Sequence, residues 1–140
     1  MNISSHDSAA STAETRAAAE ALAAALRGEG DGTDLFEDAS IWVAGSYWWS
    51  GDLQPDKAAR VQAQFHRCLS GGADGLTSEI HSILADGNKA AIEMRLSGIW
   101  KDGRPFTKDL HIAIDVSGGQ IVSYREYGFD DAFFALEVEE

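Results

Sequence analysis

The spacing of hydrophobic and polar residues differs between the two halves of the chain. Residues 12–28 form an alanine-rich run with high helix propensity, a capping residue, Thr12, at its start and Gly28 at its end. A second helix is predicted to follow Pro55 and to run to about residue 69, because apolar side chains recur there at helical spacing. Residues 40–46 are apolar enough for a strand between the two helices.

The second half of the chain is predicted to form four strands. They are separated by Asp86-Gly87, Asp102-Gly103 and Gly118-Gly119, which are strong hairpin signals. Helices followed by an antiparallel meander indicate the α+β class, with a curved antiparallel sheet wrapped over the N-terminal helices. At 140 residues the chain is long enough for one domain with a single core, which we place at residues 12–140 behind a disordered leader, 1–11.

Charge and cysteine content narrow the classes of partner. With 23 acidic against 11 basic side chains and a net charge of −12, the protein repels phosphates and anionic lipids, so we expect neither nucleic acid nor membrane as partner. The lone cysteine, Cys68, cannot form an intramolecular disulfide, and no Cys/His spacing suggests a metal site. The alanine-rich start carries acidic residues and no basic n-region, so we expect a cytoplasmic protein.

One carboxylate stands out on the predicted strands. On the strand around residue 94, Met94 alternates with Glu93 and Arg95, and periodicity alone places the apolar side chains inside and the charged ones in water. Glu126 is different, because it shares its face with Tyr124 and Val122, which favour burial. A carboxylate buried there has a raised pKa unless it is paired, so Glu126 is a candidate proton shuttle.

Several segments carry a likeness to a known family. The "DGRPF" turn, the "GGQI" turn and the "REY" ending, set behind two helices, resemble the SnoaL-like, ketosteroid-isomerase-like branch of the nuclear transport factor two superfamily. The resemblance implies a cystatin-like cone, whose concave face forms a pocket for a small apolar or cyclic molecule. It also implies a homodimer through the outer face of the sheet, and no cofactor.

Carried over by position, the resemblance implies a set of site residues. Glu126 would be the general base, Glu93 with Arg95 the orienting or electrophilic group, and Tyr124 a hydrogen-bond donor. The apolar row Ile92, Met94 and Leu96 would then face outward and need a partner surface, which fits the dimer. The substrate-binding residues that it implies are Val43, Ile99, Leu110 and Ile112. Trp42, Trp48 and Trp49 are candidates for the pocket rim, because aromatic side chains can stack on a flat ligand.

The chain departs from the family's better-known enzymes. Val43 and Ile112 stand where ketosteroid isomerases have their two acids, so steroid isomerisation by that mechanism is not expected. Glu93 and Arg95 reverse the order of the pair found in epoxide hydrolases of this fold. His111 would face away from the pocket unless a β-bulge turned it inward.

Two classes of function stay open at this point. The first is a cofactor-free isomerase, cyclase, dehydratase (a lyase) or epoxide-hydrolase-like enzyme that uses acid/base carboxylates. The second is a noncatalytic module of the same fold, which binds a small ligand or dimerises. Under the second interpretation, the Glu-Arg-Glu cluster is structural. The tryptophans of "IWVAGSYWWSG" form either a pocket rim that stacks on a flat ligand, as a binding module needs, or a hydrophobic plug between the first strand and the second helix.

Overall fold

The computed structural model describes residues 5–29, 32–44 and 51–129. Two α-helices and six β-strands follow one another in the order α1, β1, β2, α2 and β3 to β6. Their bounds are α1 Ser5–Leu26, β1 Phe36–Ala44, β2 Gly51–Leu53, α2 Pro55–Arg67, β3 Thr77–Asp86, β4 Lys89–Ile99, β5 Pro105–Ser117 and β6 Gln120–Phe129. None of the helices within the described ranges is long and apolar enough to span a bilayer.

All six strands belong to one sheet, in the order β2-β1-β6-β5-β4-β3. The four predicted strands of the second half are confirmed as an antiparallel meander, β3 to β6. The predicted all-antiparallel sheet is wrong in one place, because β1 pairs in parallel with β6. The sheet is therefore mixed, while the α+β class with helices on a curved sheet is confirmed.

Helix α1 begins at Ser5, earlier than the expected start at Thr12. Thr12 serves as a tertiary contact, since its Oγ1 accepts a hydrogen bond of 2.8 Å from the backbone N–H of Gly87. One turn later, the fully buried hydroxyl of Thr15 donates to the carbonyl of Gly87 at 2.7 Å. The two threonines therefore fasten α1 to the turn between β3 and β4.

The helices cover one face of the sheet, which we call the inner face. Helix α1 packs against β3, β4 and β5, and α2 packs against β1. The inner face of β4 carries Ile92, Met94 and Leu96, each at most 2% exposed, in one hydrophobic cluster with residues of α1. The expectation that this apolar row faces outward is therefore wrong, because the row forms the protein's own core.

The loop between β4 and β5 sets this arrangement. Ile99 pairs with Pro105, and the backbone N–H of Trp100 donates to the carbonyl of Arg104 at 2.8 Å, so the loop consists of residues 101–103. This register places Ile92 opposite Ile112 and Met94 opposite Leu110. Residues directly opposite each other in an antiparallel pair share a face, so all four are on the inner side.

A β-bulge in β6 determines which of its side chains turn inward. The β5–β6 register shifts between Asp115 and Val116, so that Ile121 pairs with Val116 but Ser123 pairs with Asp115. Val122 is the extra residue, and both Ile121 and Tyr124 are buried on the inner face. After the bulge, Glu126 lies opposite Ile112 and is also on the inner face. Without the extra residue, the alternation of β6 would turn Glu126 outward.

Candidate acid-base site

Glu126 sits between two apolar neighbours on the inner face. It pairs with Ile112 on β5 and with Val43 on β1, and both of these side chains are buried. Its own side chain is only 12% exposed. A carboxylate in this position has lost most of its water, so its remaining partners determine what it can do.

The first partner of Glu126 is Tyr124, two residues earlier on the same face. The Tyr124 hydroxyl donates a hydrogen bond of 2.5 Å to Oε1 of Glu126. Burial of the phenol, together with the charge of Glu126 and this hydrogen bond, raises the pKa of Tyr124 well above its ordinary value. Tyr124 therefore keeps its proton at neutral pH and acts as a donor that orients the carboxylate.

This pKa shift predicts how the protein responds to alkali. Because the folded state holds the Tyr124 proton more tightly than the unfolded chain, its contribution to stability is intact below the ordinary tyrosine pKa of about 10. That contribution is lost as the pH rises from there toward the raised value. Titration of phenolate absorbance should show Tyr124 ionising only on unfolding, and Tyr124→Phe should remove that late step. A Tyr124→Phe titration identical to wild type would contradict this assignment.

The second partner of Glu126 is Lys108 on β5. Lys108 Nζ lies 3.6 Å from Glu126 Oε2, and the Lys108 side chain is also 12% exposed. Gly128 lies on the inner face beside the lysine stem, where a Cβ atom would come within 3.6 Å of Lys108 Cε and 3.1 Å of Leu110 Cδ2. The glycine therefore leaves room for the lysine to reach Glu126. We call Lys108, Tyr124 and Glu126 the acid-base cluster.

Aromatic side chains adjoin the acid-base cluster on the helix side. Lys108 Nζ lies 5.9 Å from the ring centroid of Phe65 on α2, a cation–π distance. Phe65 packs edge-on against Trp100 and Phe106, which stack on each other with centroids 4.4 Å apart. The indole N–H of Trp100 is buried and has no hydrogen-bond partner among the described residues. Phe65, Trp100 and Phe106 are all buried, so the acid-base cluster borders an aromatic part of the core.

Two of the predicted catalytic residues lie on the opposite, outer face of the sheet. Glu93 is 59% exposed and lies 3.9 Å from His111, while Arg95 is 47% exposed and binds Asp109 through two hydrogen bonds. The hydrogen bond from Arg95 lowers the pKa of Asp109. The placement of Glu93 and Arg95 beside Glu126 is therefore wrong, because the sheet separates them. His111 faces outward, as expected without a bulge at its position.

The predicted substrate-binding residues divide between the two faces. Val43, Leu110 and Ile112 are buried on the inner face, next to the acid-base cluster. Trp42 and Ile99 were expected in the pocket, but strand alternation turns them to the outer face, where Trp42 packs on Tyr127 and Ile99 is 50% exposed. Trp48 and Trp49 lie outside the described residues, so their predicted role stays a prediction.

Lys108 is the group that sequence reasoning missed. The signal was present, because Lys108 continues the alternation of Leu110, Ile112 and Ile114, which the sequence already places inside. A lysine at the end of an apolar row is usually assigned to solvent. Here the neighbouring strand supplies the carboxylate of Glu126, 3.6 Å from the lysine nitrogen, so the lysine stays mostly buried.

A two-helix layer on a curved, unclosed mixed sheet, with ionisable groups on its inner face, defines the ketosteroid isomerase-like, nuclear transport factor two-like class of α+β proteins. A model of the SnoaL-like domain matches residues 19–124, which is more than half of the chain. The chain belongs to the SnoaL-like domain family. The match stops two residues before Glu126, so the likeness in sequence does not extend to the proposed base.

Solved structures share the fold at low sequence identity. A nuclear transport factor two-like protein from Anabaena variabilis has a TM-score of 0.69 at 18% identity, over 94% of this chain and 96% of that one. An epoxide hydrolase from M. tuberculosis has a TM-score of 0.63 at 22% identity, over 84% of each chain. A ketosteroid isomerase-like protein from Catenulispora acidiphila, in complex with trimethylamine, has a TM-score of 0.64 at 18% identity, over 79% and 83%. No curated protein sequence matches significantly.

Proposed function

We propose that this protein is a cofactor-free enzyme that moves a proton within a small, largely apolar carbonyl compound, with Glu126 as general base. The observation that carries the proposal is the carboxylate of Glu126, which is 12% exposed and held by Tyr124 at 2.5 Å. A carboxylate with little hydration, fixed in direction by a neutral donor, is suited to abstracting a proton from carbon. Isomerisation, cyclisation and dehydration all begin with such a step.

The surroundings of Glu126 support a neutral substrate. Lys108 balances the charge of Glu126, and Val43 and Ile112 flank the carboxylate with apolar surface. An anionic substrate would meet a protein of net charge −12, which disfavours its approach. A small apolar or cyclic molecule with one carbonyl group therefore fits the charge and polarity of the cluster.

Hydrolysis of an epoxide receives less support. The M. tuberculosis epoxide hydrolase shares the fold, and the pair that resembles its family in this sequence is Glu93 with Arg95. Both side chains are on the outer face, each more than two fifths exposed. A pair in open solvent provides neither the dry environment nor the contact with Glu126 that such a reaction needs.

Hydrogen–deuterium exchange at carbon tests the proposal without knowledge of the natural substrate. The full-length protein is incubated in D₂O with neutral ketones such as phenylacetone and cyclohexanone, and loss of the α-proton signal is followed by NMR. We expect the protein to accelerate exchange above its rate in buffer. Glu126→Gln should slow the exchange by about 10²–10⁴-fold, because a general base typically accelerates a reaction by that factor. The matched control is Glu93→Gln, which removes an exposed carboxylate from the outer face and should leave the exchange rate unchanged.

The outcomes separate the two classes of function. Exchange that depends on Glu126 and not on Glu93 supports the enzyme. Binding of these ketones without exchange, with an affinity altered by Glu126→Gln, would replace the enzyme with a noncatalytic ligand-binding module. Equal exchange rates in wild type and Glu126→Gln would remove Glu126 from its role as base.

The proposed reaction uses protein side chains alone, so the proposal includes no cofactor and no metal. The described residues contain no group of three or more His, Cys, Asp or Glu side chains arranged to hold a metal ion.

The cytoplasmic location also stays a proposal. It is supported by the single cysteine, Cys68, because disulfide-rich sequences are typical of secreted domains of small size.

We also propose a homodimer through the outer face, on a basis that differs from the one expected from sequence. Leu84 is 69% exposed there, beside an open depression of 470 Å³ whose floor includes Ala91 and Ala113. An exposed leucine next to small residues can insert into the same surface of a second copy. Light scattering should give a dimer for wild type and a monomer for Leu84→Glu. A monomeric wild type would exclude the dimer.

A further inference from the structure

The acid-base cluster places a candidate nucleophile, Lys108, beside a carboxylate that can accept its proton. Lys108 Nζ lies 3.6 Å from Oε2 of Glu126, and the other oxygen of that carboxylate is held by Tyr124 at 2.5 Å. A nucleophile beside a base, with the base oriented by a third group, is the signature of covalent catalysis, and the first distance is often longer without substrate. Proton abstraction by Glu126 alone uses only two of these three groups.

We propose that Lys108 forms an imine with the carbonyl carbon of an aldehyde or ketone substrate, and that Glu126 accepts and returns the proton this requires. The inference rests on the proposed function, because it names the substrate class of the same site. It makes Lys108 a catalytic residue that contacts the reacting atoms.

Each step balances without an oxidant or reductant. Glu126 takes a proton from the Lys108 ammonium, and the freed nitrogen lone pair attacks the carbonyl carbon. The C–N bond forms while the carbonyl π electrons move to oxygen, and a proton passes from the attacking nitrogen to that oxygen to give a carbinolamine. Proton return from Glu126 to that hydroxyl lets water leave with the C–O electron pair. The sum is ammonium plus carbonyl giving iminium plus water.

The environment suits the iminium as well as the ammonium. Both species carry one positive charge at the position of Nζ, so Glu126 and the ring of Phe65, 5.9 Å away, stabilise either one. The iminium also withdraws electrons from the neighbouring carbon and acidifies its C–H bonds. Glu126 is the base within reach of that carbon, so imine formation would make the proposed proton transfer easier.

Lys108 differs from Lys89 and Lys101 in its surroundings. Lys89 is 70% exposed and pairs with Asp115 on the outer face, and Lys101 is exposed in the loop between β4 and β5. Neither adjoins a carboxylate that is itself buried on the inner face. These two side chains therefore provide an internal reference for ordinary lysine reactivity.

Reductive trapping tests the proposal on the wild-type, full-length protein. Phenylacetone is the probe, because its ring matches the aromatic surroundings and a ketone condenses slowly with exposed lysines. Sodium cyanoborohydride reduces any iminium to a stable secondary amine, and peptide mass spectrometry locates it. We expect Lys108 to be labelled at least about 10-fold faster than Lys89 or Lys101. This factor is smaller than the rate acceleration that a positioned general base typically gives. Labelling of Lys108 no faster than these two would overturn the proposal.

Variants separate this proposal from the function on which it rests. Lys108→Arg keeps the positive charge beside Glu126 but cannot form an imine, so its trapped adduct should disappear. Glu126→Gln should slow trapping at Lys108.

Selective trapping without α-proton exchange would support the imine and reject the proposed proton transfer. Exchange that depends on Glu126, with no selective trapping, would reject the imine and leave the proposed function intact. Since the rate comparison among lysines uses wild type, poor folding of a variant does not affect it.

Discussion

Replacing Met94 by glutamine is expected to lower the free energy of unfolding by about 3–5 kcal/mol. Met94 is 1% exposed and faces Leu110 within the core. Glutamine has nearly the same length, so little cavity forms, but an amide without hydrogen-bond partners must be desolvated and the apolar contacts of the thioether are lost. The loss is a large part of the stability of a typical domain, and urea unfolding followed by tryptophan fluorescence measures it.

The neighbouring substitution Arg95→Gln is the matched control. It introduces the same side chain one position along β4, where strand alternation turns it to solvent and only an exposed ion pair with Asp109 is lost. Its unfolding midpoint should therefore stay close to that of wild type. If Arg95→Gln were the more destabilising of the two, the inner and outer faces of β4 would have to be exchanged.

The faces of β4 show what a single sequence can and cannot determine. Alternation of apolar and charged residues predicts Ile92, Met94 and Leu96 inside, and the structure agrees with that pattern. Carrying a family's site over by position reversed it, so the analogy was less reliable than the local pattern. The physical reason is the cost of burying Glu93 and Arg95 while exposing three large apolar side chains.

The sequence did not determine the length of the loop between β4 and β5. A two-residue loop at Asp102-Gly103 would pair odd-numbered residues of β4 with even-numbered residues of β5. The loop has three residues, so even-numbered residues pair with even-numbered ones, as Ile92 does with Ile112. Both loop types accept the same Asp-Gly sequence, and a change of one residue exchanges the faces of a strand.

The inward position of Glu126 was predictable only in part. Its alternation with Tyr124 indicated one shared face, and the structure confirms that they share it. Which face this is depends on the bulge at Val122, and a bulge has no sequence signature comparable to that of a turn. Lys108 joins the cluster only through pairing across β5 and β6, which is a tertiary property. The sequence therefore identified Glu126 and Tyr124 as candidate site residues, but it did not show that they contact Lys108.

Replacing Lys108 alone is expected to lower the free energy of unfolding strongly. Replacing Glu126 as well should lower it less. Lys108→Met leaves the carboxylate of Glu126 without its nearby positive charge at a position that is 12% exposed. Breaking one side of a buried ion pair costs about 3–5 kcal/mol, mostly because the remaining charge is uncompensated. In Lys108→Met with Glu126→Gln the remaining group is a neutral amide, which can still accept the Tyr124 hydrogen bond. The double variant should therefore be more stable than Lys108→Met alone by about 1–3 kcal/mol.

Chemical unfolding of the wild type, both single variants and the double variant completes the cycle. Arg95→Met serves as the control, because its pair with Asp109 joins side chains that are 47% and 58% exposed, and such pairs contribute about 0–1 kcal/mol. Additive losses in the cycle would mean that Lys108 and Glu126 do not interact in the folded protein. That result would remove the electrostatic basis of the acid-base cluster, since a lysine that does not sense Glu126 has no base to take its proton.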